Sequence, residues 1–265
     1  MRFTCRIYFK EPSKLIIPTD YRNHFVSLIK ESLKSSSENG ENFINYFYEG
    51  NKSKPFTFSV YMPVKKDGYN FKFLEGKNSI NFFFTTNDYE FLMRVYNGLN
   101  NKKVVSNMKL FKQEINKISD FYLYPNKKIT KNEVVFKTLS PILIRDIDDG
   151  DYYVVPENLL SEKKLKYYKE KTMDQFIFNL KKNAIYLVKK FLDREINEND
   201  LEFNFPNIEL VPTIHSSKVS KFKITYPGIK CIMNVKGDND ILKLFYDIGI
   251  GARRSEGFGM LDIIS

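Results

Sequence analysis

Twice along its 265 residues the chain passes through the same succession of hydrophobic periods: strand, helix, strand, strand, helix, strand. Apolar side chains two apart share one face of a strand, and those three or four apart share one face of a helix, so this succession restricts the fold more than composition does. The first pass opens with Arg2-Phe3-Thr4-Cys5-Arg6-Ile7-Tyr8-Phe9 as a strand. A helix capped at Thr19 or Asp20 follows, with Tyr21, Phe25, Leu28, Ile29 and Leu33 on its apolar side, and closes near Ser35-Ser36-Ser37. A short helical piece spans residues 42–47. Residues 55–61 and 80–86 are β-rich, with a hairpin excursion between them marked by Gly68 and Gly76. A helix beginning at Asn87 or Asp88 carries Phe91, Leu92, Val95 and Leu99, and residues 104–118 read as extended.

The second pass starts with residues 134–139 and, beyond Pro141, residues 142–144 as an interrupted extended segment. A long helix is predicted over residues 161–192, with Leu165, Tyr168, Phe176, Leu180, Ala184, Leu187 and Phe191 at spacings of three or four. Strands over 203–214 and 219–235 are joined through His215-Ser216-Ser217. Asp238 or Asn239 caps a short helix with Ile241, Leu242, Leu244, Phe245 and Ile248, and a last strand covers residues 260–264. Two successive βαββαβ passes predict an α+β protein of two tandem ferredoxin-like (RRM-like) domains, 1–125 and 126–265, with the boundary near Tyr124-Pro125-Asn126-Lys127-Lys128. Each such domain leaves one sheet face clear of helices, available to a ligand or to the other domain.

The charge balance indicates a partner class. With 42 Lys+Arg against 32 Asp+Glu the formal charge is +10, which favours a polyanion without distinguishing RNA, DNA and an anionic membrane. Aromatics reach 15% with no tryptophan; some can stack on bases, but most alternate with polar residues and belong to strand cores. No apolar run approaches the roughly 20 residues of a membrane helix, and no secretory leader pattern opens the chain, so the cytoplasm is the expected location and no membrane partner is expected. Cys5 and Cys231 lie singly in strand-like patterns and read as buried thiols. Asp146, Asp148, Asp149 and Asp151 around Gly150 lack a complete calcium-loop pattern and read as an exposed acidic turn. No metal and no cofactor is expected.

The most informative segment is Gly249-Ile250-Gly251-Ala252-Arg253-Arg254-Ser255-Glu256-Gly257-Phe258-Gly259-Met260. Glycines permit backbone angles closed to other residues and let a phosphate approach the main chain, and two arginines add fork-shaped donors. The dinucleotide fingerprint fails because Gly249 and Gly251 follow a helix, and no Gly-Lys-Ser/Thr occurs for a phosphate loop. The competing reading is a tight helix-to-strand connection whose arginines face water.

Here the chain resembles the Cas6 family of CRISPR-associated repeat-processing endoribonucleases. The glycine-rich segment matches together with Lys54-Pro55-Phe56-Thr57-Phe58-Ser59 and Phe136-Lys137-Thr138-Leu139-Ser140-Pro141-Ile142, in this order and at this spacing across the chain. The resemblance implies two ferredoxin-like domains, a basic RNA path, and recognition of a CRISPR repeat RNA. It also implies metal-independent attack by the RNA's own 2′-hydroxyl, leaving a 2′,3′-cyclic phosphate and a 5′-hydroxyl. The product is then handed to, or kept with, other CRISPR effector-complex subunits. A homodimer is a further possibility.

Such cleavage needs a base for the 2′ proton, an acid for the leaving oxygen and a cation for the phosphate. Many family members carry a histidine after the first helix, but this chain has Phe43-Ile44-Asn45-Tyr46-Phe47-Tyr48-Glu49-Gly50-Asn51-Lys52 there. The catalytic candidates are therefore Tyr46, Tyr48 and Lys52, with His24 beside the first helix's apolar stripe. Each has a plain alternative: the tyrosines pack between helix and sheet, Lys52 is solvated, and His24 is an ordinary helix histidine. His215, in the turn beside Ser216 and Ser217, fits a backbone or RNA-phosphate contact better than catalysis. RNA contacts are expected from Gly249, Gly251, Arg253, Arg254, Ser255, Gly257, Phe258, Gly259 and Lys54. Lys182 and Lys189, seven apart on the long helix, extend the path, with pairs such as Lys163-Lys164 beyond them. A catalytically weak or inactive repeat-RNA-binding subunit is the alternative function.

Overall fold

The alternation that opens the sequence places Phe3, Cys5, Ile7 and Phe9 on one face of strand β1 (Arg2–Phe9), and all four are buried. In the computed structural model, which describes residues 1–36, 40–48, 52–159, 165, 167–216 and 223–264, the chain divides into two compact units, Met1–Asn126 and Lys127–Ser265.

In the first unit β1 is followed by β2 (Ile17–Pro18), α1 (Arg22–Lys34), α2 (Gly40–Tyr48), β3 (Phe56–Tyr61), β4 (Val64–Asp67), β5 (Asn70–Phe73) and β6 (Ser79–Thr86). Then come α3 (Tyr89–Asn100), α4 (Lys102–Val105), β7 (Lys109–Leu110) and β8 (Gln113–Leu123). The main sheet is antiparallel with order β3-β6-β1-β8-β7, while β4 and β5 form the excursion hairpin, to which β2 adds. Helices α1 and α3 supply Phe25, Leu28, Ile29 and Leu33, and Phe91, Leu92, Val95 and Leu99, to one buried cluster with the strands. Phe25 stacks on Phe82 at 5.6 Å and Phe56 lies 4.8 Å from Phe91, each such pair adding about 0.5–1.5 kcal/mol beyond its burial. The abundant phenylalanine is therefore largely core.

Asp88 caps α3, its carboxylate accepting the Phe91 N–H at 2.9 Å. Asp88→Ala should lower stability by about 1 kcal/mol, read as a lower midpoint in urea denaturation with an unchanged slope. At α1 the expected Thr19 or Asp20 cap is not used: Tyr21 occupies the N-cap without a side-chain hydrogen bond. The extended segment expected over 104–118 is instead α4, β7 and the start of β8, because Phe111 and Lys112 both take left-handed angles (φ 55° and 66°) and close a tight hairpin.

The second unit contains β9 (Glu133–Thr138), β10 (Tyr153–Pro156), β11 (Tyr168–Lys171), α5 (Met173–Leu192), β12 (Glu202–Ser216), β13 (Lys223–Lys236), α6 (Asn239–Ile248) and β14 (Leu261–Ile263). Its antiparallel sheet has the order β12-β13-β9-β14, and β10 pairs with β11 in parallel. Phe176, Leu180, Ala184 and Val188 of α5, with Ile241, Leu242, Phe245 and Ile248 of α6, fill the core against it.

The helix expected from residue 161 begins at Met173. Thr172 and Gln175 form a reciprocal capping box, Gln175 N–H to Thr172 Oγ1 at 3.3 Å and Thr172 N–H to Gln175 Oε1 at 3.1 Å, and residues 168–171 are strand. Lys163, Lys164 and the segment 217–222 lie outside the described residues, as do the side chains of Tyr46 and Phe47. The acidic turn is not fully exposed: Asp146 is buried, its carboxylate 3.1 Å from Lys169 Nζ. No described helix is long and apolar enough to cross a membrane.

Candidate functional site

In the first unit α2 folds back beside α1, and a Lys34–Glu41 ion pair of 2.8 Å ties the two. This brings Tyr48, the last residue of α2, between two lysines. Lys30 Nζ of α1 lies 4.1 Å from the Tyr48 ring centroid, and Lys54 Nζ, just before β3, lies 4.9 Å from it. Such cation–π contacts contribute about 0.5–2 kcal/mol, depending on desolvation. The Tyr48 hydroxyl is buried with no hydrogen-bond partner among the described residues, and burial pushes its pKa up, so it remains a neutral phenol. The tyrosine is thus a platform for cations and no proton acceptor.

Lys54 Nζ also donates to the Lys52 carbonyl at 3.3 Å, while Lys52 itself is exposed. His24 is held elsewhere on α1, edge-on to Phe111 at 5.2 Å. Burial lowers its pKa, Asp20 opposes the shift and Lys112 adds to it. The structure therefore groups Lys30, Tyr48 and Lys54, while His24 packs on Phe111. Two ammonium groups on one ring suit a phosphodiester, since an ordinary lysine is fully charged at neutral pH. Sequence reasoning missed Lys30; nothing in the local pattern separates it from the other lysines, because its partner comes from the next helix.

In the second unit α6 runs into the glycine-rich turn, where Gly249, Gly251, Arg253, Gly257 and Gly259 all have positive φ. The turn is sewn to the segment after β9. Ala252 N–H donates to the Leu143 carbonyl (2.7 Å), Gly259 N–H to the Pro141 carbonyl (2.8 Å) and Met260 N–H to Ser140 Oγ (2.9 Å). Two landmarks more than a hundred residues apart in sequence are thus one structure. A Cβ on Gly251 would lie 2.5 Å from the Leu143 oxygen, and one on Gly259 only 1.9 Å from the Ile250 oxygen.

The adjacent arginines have opposite environments. Arg253 donates from Nε to the Tyr153 hydroxyl (2.7 Å) and from Nη1 to Glu256 (2.8 Å), and its guanidinium lies 4.9 Å from the Tyr226 ring centroid. Burial alone would lower its pKa, but Glu256 and the two tyrosines outweigh that and raise it, and 23% of its side chain stays exposed. Glu256 also meets His215 Nε2 at 2.6 Å. Burial would raise the pKa of Glu256, yet His215 and Arg253 hold it below the usual carboxylate range.

Arg254, expected to grip RNA, is buried: its Nη1 donates to the Ile248 carbonyl at 2.9 Å, at the negative end of α6. Burial lowers its pKa to about 9, which still leaves it charged at neutral pH. Phe258, also expected on the RNA side, is fully buried with Leu143, Tyr153 and Tyr226, and Gly249, Gly251, Gly257 and Gly259 are buried too. These residues shape the turn from inside, while Arg253 and the half-buried Ser255 retain surface. His215 lies within β12 and is buried, not in a turn. The positive face expected of α5 is largely neutralised: Lys182 pairs with Glu198, and Lys189 with Glu195 at 2.7 Å.

Residues 124–263 match the family described as CRISPR associated protein Cas6, C-terminal. The chain is 24% identical to the CRISPR-associated endoribonuclease Cas6 of Pyrococcus furiosus, over 99% of this chain and 90% of that protein. It is 25% identical to the CRISPR-associated endoribonuclease Cas6 1 of Methanocaldococcus jannaschii, over 93% and 87%. Among solved structures, an RAMP protein binding different RNA substrates is similar with a TM-score of 0.74 at 18% identity, covering 100% of both chains. A Cas6 product complex gives a TM-score of 0.60 at 13% identity, covering 99% of each chain. The shared fold is mixed α/β with antiparallel sheets.

Proposed function

Because the chain belongs to the Cas6 family of CRISPR-associated repeat-processing endoribonucleases, we propose that it cuts CRISPR repeat RNA by attack of the RNA's own 2′-hydroxyl, without a metal. Both units are read as ferredoxin-like, supported by the strand order β3-β6-β1-β8 in one and β12-β13-β9-β14 in the other, each running second, third, first, fourth. The N-terminal unit carries the cleavage region and the C-terminal unit the glycine-rich RNA-binding turn.

The observation that carries the catalytic reading is the convergence of Lys30 and Lys54 on Tyr48. In this reaction the 2′-hydroxyl gives up its proton to water, the 2′ oxygen bonds to phosphorus as the bond to the 5′ oxygen breaks, and negative charge grows on the phosphate between them. Two fixed ammonium groups stabilise that charge, and either can pass a proton to the departing 5′ oxygen. Tyr48 orients the pair, and Lys52 anchors Lys54 through its carbonyl. Arg253 and Ser255, the turn residues that retain surface, hold the RNA, and the product then passes to other effector-complex subunits.

The test is end-labelled repeat RNA incubated with excess protein in EDTA, with the product termini identified. A single cut giving a 2′,3′-cyclic phosphate and a 5′-hydroxyl is the expected result. The buried neutral phenol of Tyr48, in the region where many family members carry a histidine, favours one second reading, a repeat-RNA-binding subunit that does not cut. Tight binding with intact RNA after long single-turnover incubation would select that reading.

A further inference from the structure

We propose that His215 is a positioning residue for RNA binding, acting through Glu256 to keep Arg253 available to a phosphate of the RNA. The inference rests on the RNA-binding reading of the glycine-rich turn. His215 is 2% exposed, yet its Nδ1 is buried with no hydrogen-bond partner among the described residues. Its ring lies among aromatics, 6.1 Å from Tyr226 and 6.0 Å from Phe258, where a phenylalanine would pack without stranding a polar atom. Packing alone therefore does not account for an imidazole there.

What the imidazole does is hold Glu256. One carboxylate oxygen, Oε2, meets both His215 Nε2 at 2.6 Å and Arg253 Nη1 at 2.8 Å. Arg253 has five N–H donors, of which, among the described residues, Nε goes to Tyr153 and one on Nη1 to Glu256, so the rest of the fork can meet a ligand. A carboxylate not restrained by His215 can turn to face the guanidinium in the two-bond geometry that arginine favours. That would occupy a further donor and cancel more of the positive charge. His215 keeps the pairing single. The left-handed backbone of Arg253 (φ 54°), rare for a side-chain-bearing residue, adds to the case that its direction is imposed by its surroundings.

The experiment measures binding of a labelled repeat RNA across a salt series for His215→Phe, His215→Gln and Arg253→Met, with melting curves alongside. His215→Phe keeps the ring packing and removes the donor; its dissociation constant should rise roughly tenfold and its salt slope should fall by about one. His215→Gln, which can still donate to Glu256, should regain most of the affinity, and His215→Phe should change nothing further in the Arg253→Met background. Wild-type affinity and salt slope in His215→Phe, or an equal loss with Arg253 already absent, would overturn the inference while leaving RNA binding intact. Failure of the wild-type protein to bind the repeat would instead remove the RNA reading and this inference with it. Should His215→Phe not fold, Glu256→Gln breaks the same link from the other side, and its loss of affinity must likewise vanish when Arg253 is methionine.

Discussion

Lys54→Met should slow single-turnover cleavage of repeat RNA by about a hundredfold, roughly 2.7 kcal/mol of activation energy, while weakening RNA binding no more than about threefold. The asymmetry follows from when the charge appears. The ground-state phosphodiester carries one negative charge, whereas on the proposed mechanism the pentacoordinate arrangement would concentrate more of it near Lys30 and Lys54, which converge over Tyr48. An interaction that strengthens only in the transition state lowers the rate constant when removed and leaves affinity nearly alone. Lys30→Met should behave similarly. The double variant should lose less than the product of the two single losses, because the lysines share one ring and one phosphate. Equal losses in binding and rate would make them ordinary backbone contacts. Tyr48→Phe divides the roles further: it keeps the platform, so a fall as large as that of Lys54→Met would move the chemistry onto the phenol.

Much of the fold was legible because hydrophobic period reports directly on burial. The alternation in β1 and the stripe Phe25, Leu28, Ile29, Leu33 appear in the core as read. The reading failed where two signals of unequal strength overlapped. Leu165 and Tyr168 happen to continue the apolar spacing of α5, and that periodicity hid the Thr172–Gln175 capping box that starts the helix. The hairpin at Phe111 and Lys112 uses left-handed angles without glycine or asparagine, so turn chemistry offered no warning. At the candidate sites the limits are three-dimensional. Arg253 and Arg254 are chemically identical neighbours, and only the short helical turn Arg254–Glu256 sends one toward the surface and the other under α6. Lys30 meets Tyr48 because α2 folds back, and Glu256 reaches His215 across strand and turn, neither being a local pattern.

Gly259→Ala should cost the C-terminal unit at least about 4 kcal/mol, a large share of the roughly 5–15 kcal/mol that holds a typical domain together. Two effects combine. The backbone angle at Gly259 (φ +70°) is left-handed, which for an alanine costs about 1–2 kcal/mol by itself. The added methyl would also sit 1.9 Å from the Ile250 oxygen, a separation no side chain tolerates. That oxygen belongs to rigid main chain, so relief requires moving the turn and breaking the bonds from Ile250 N–H to Gly259 O (3.0 Å) and from Gly259 N–H to Pro141 O (2.8 Å). Gly76→Ala separates the two effects: its φ is +71°, but nothing lies within 4 Å of the new methyl, so only the backbone cost of about 1–2 kcal/mol remains. Urea denaturation of both variants measures the difference directly. A large loss at Gly259 and a small one at Gly76 means the turn holds one shape set by its seam to residues 140–143, and Arg253 is aimed by that shape. Similar small losses would mean that the turn re-routes at little cost, and RNA binding would then have to select its conformation from several.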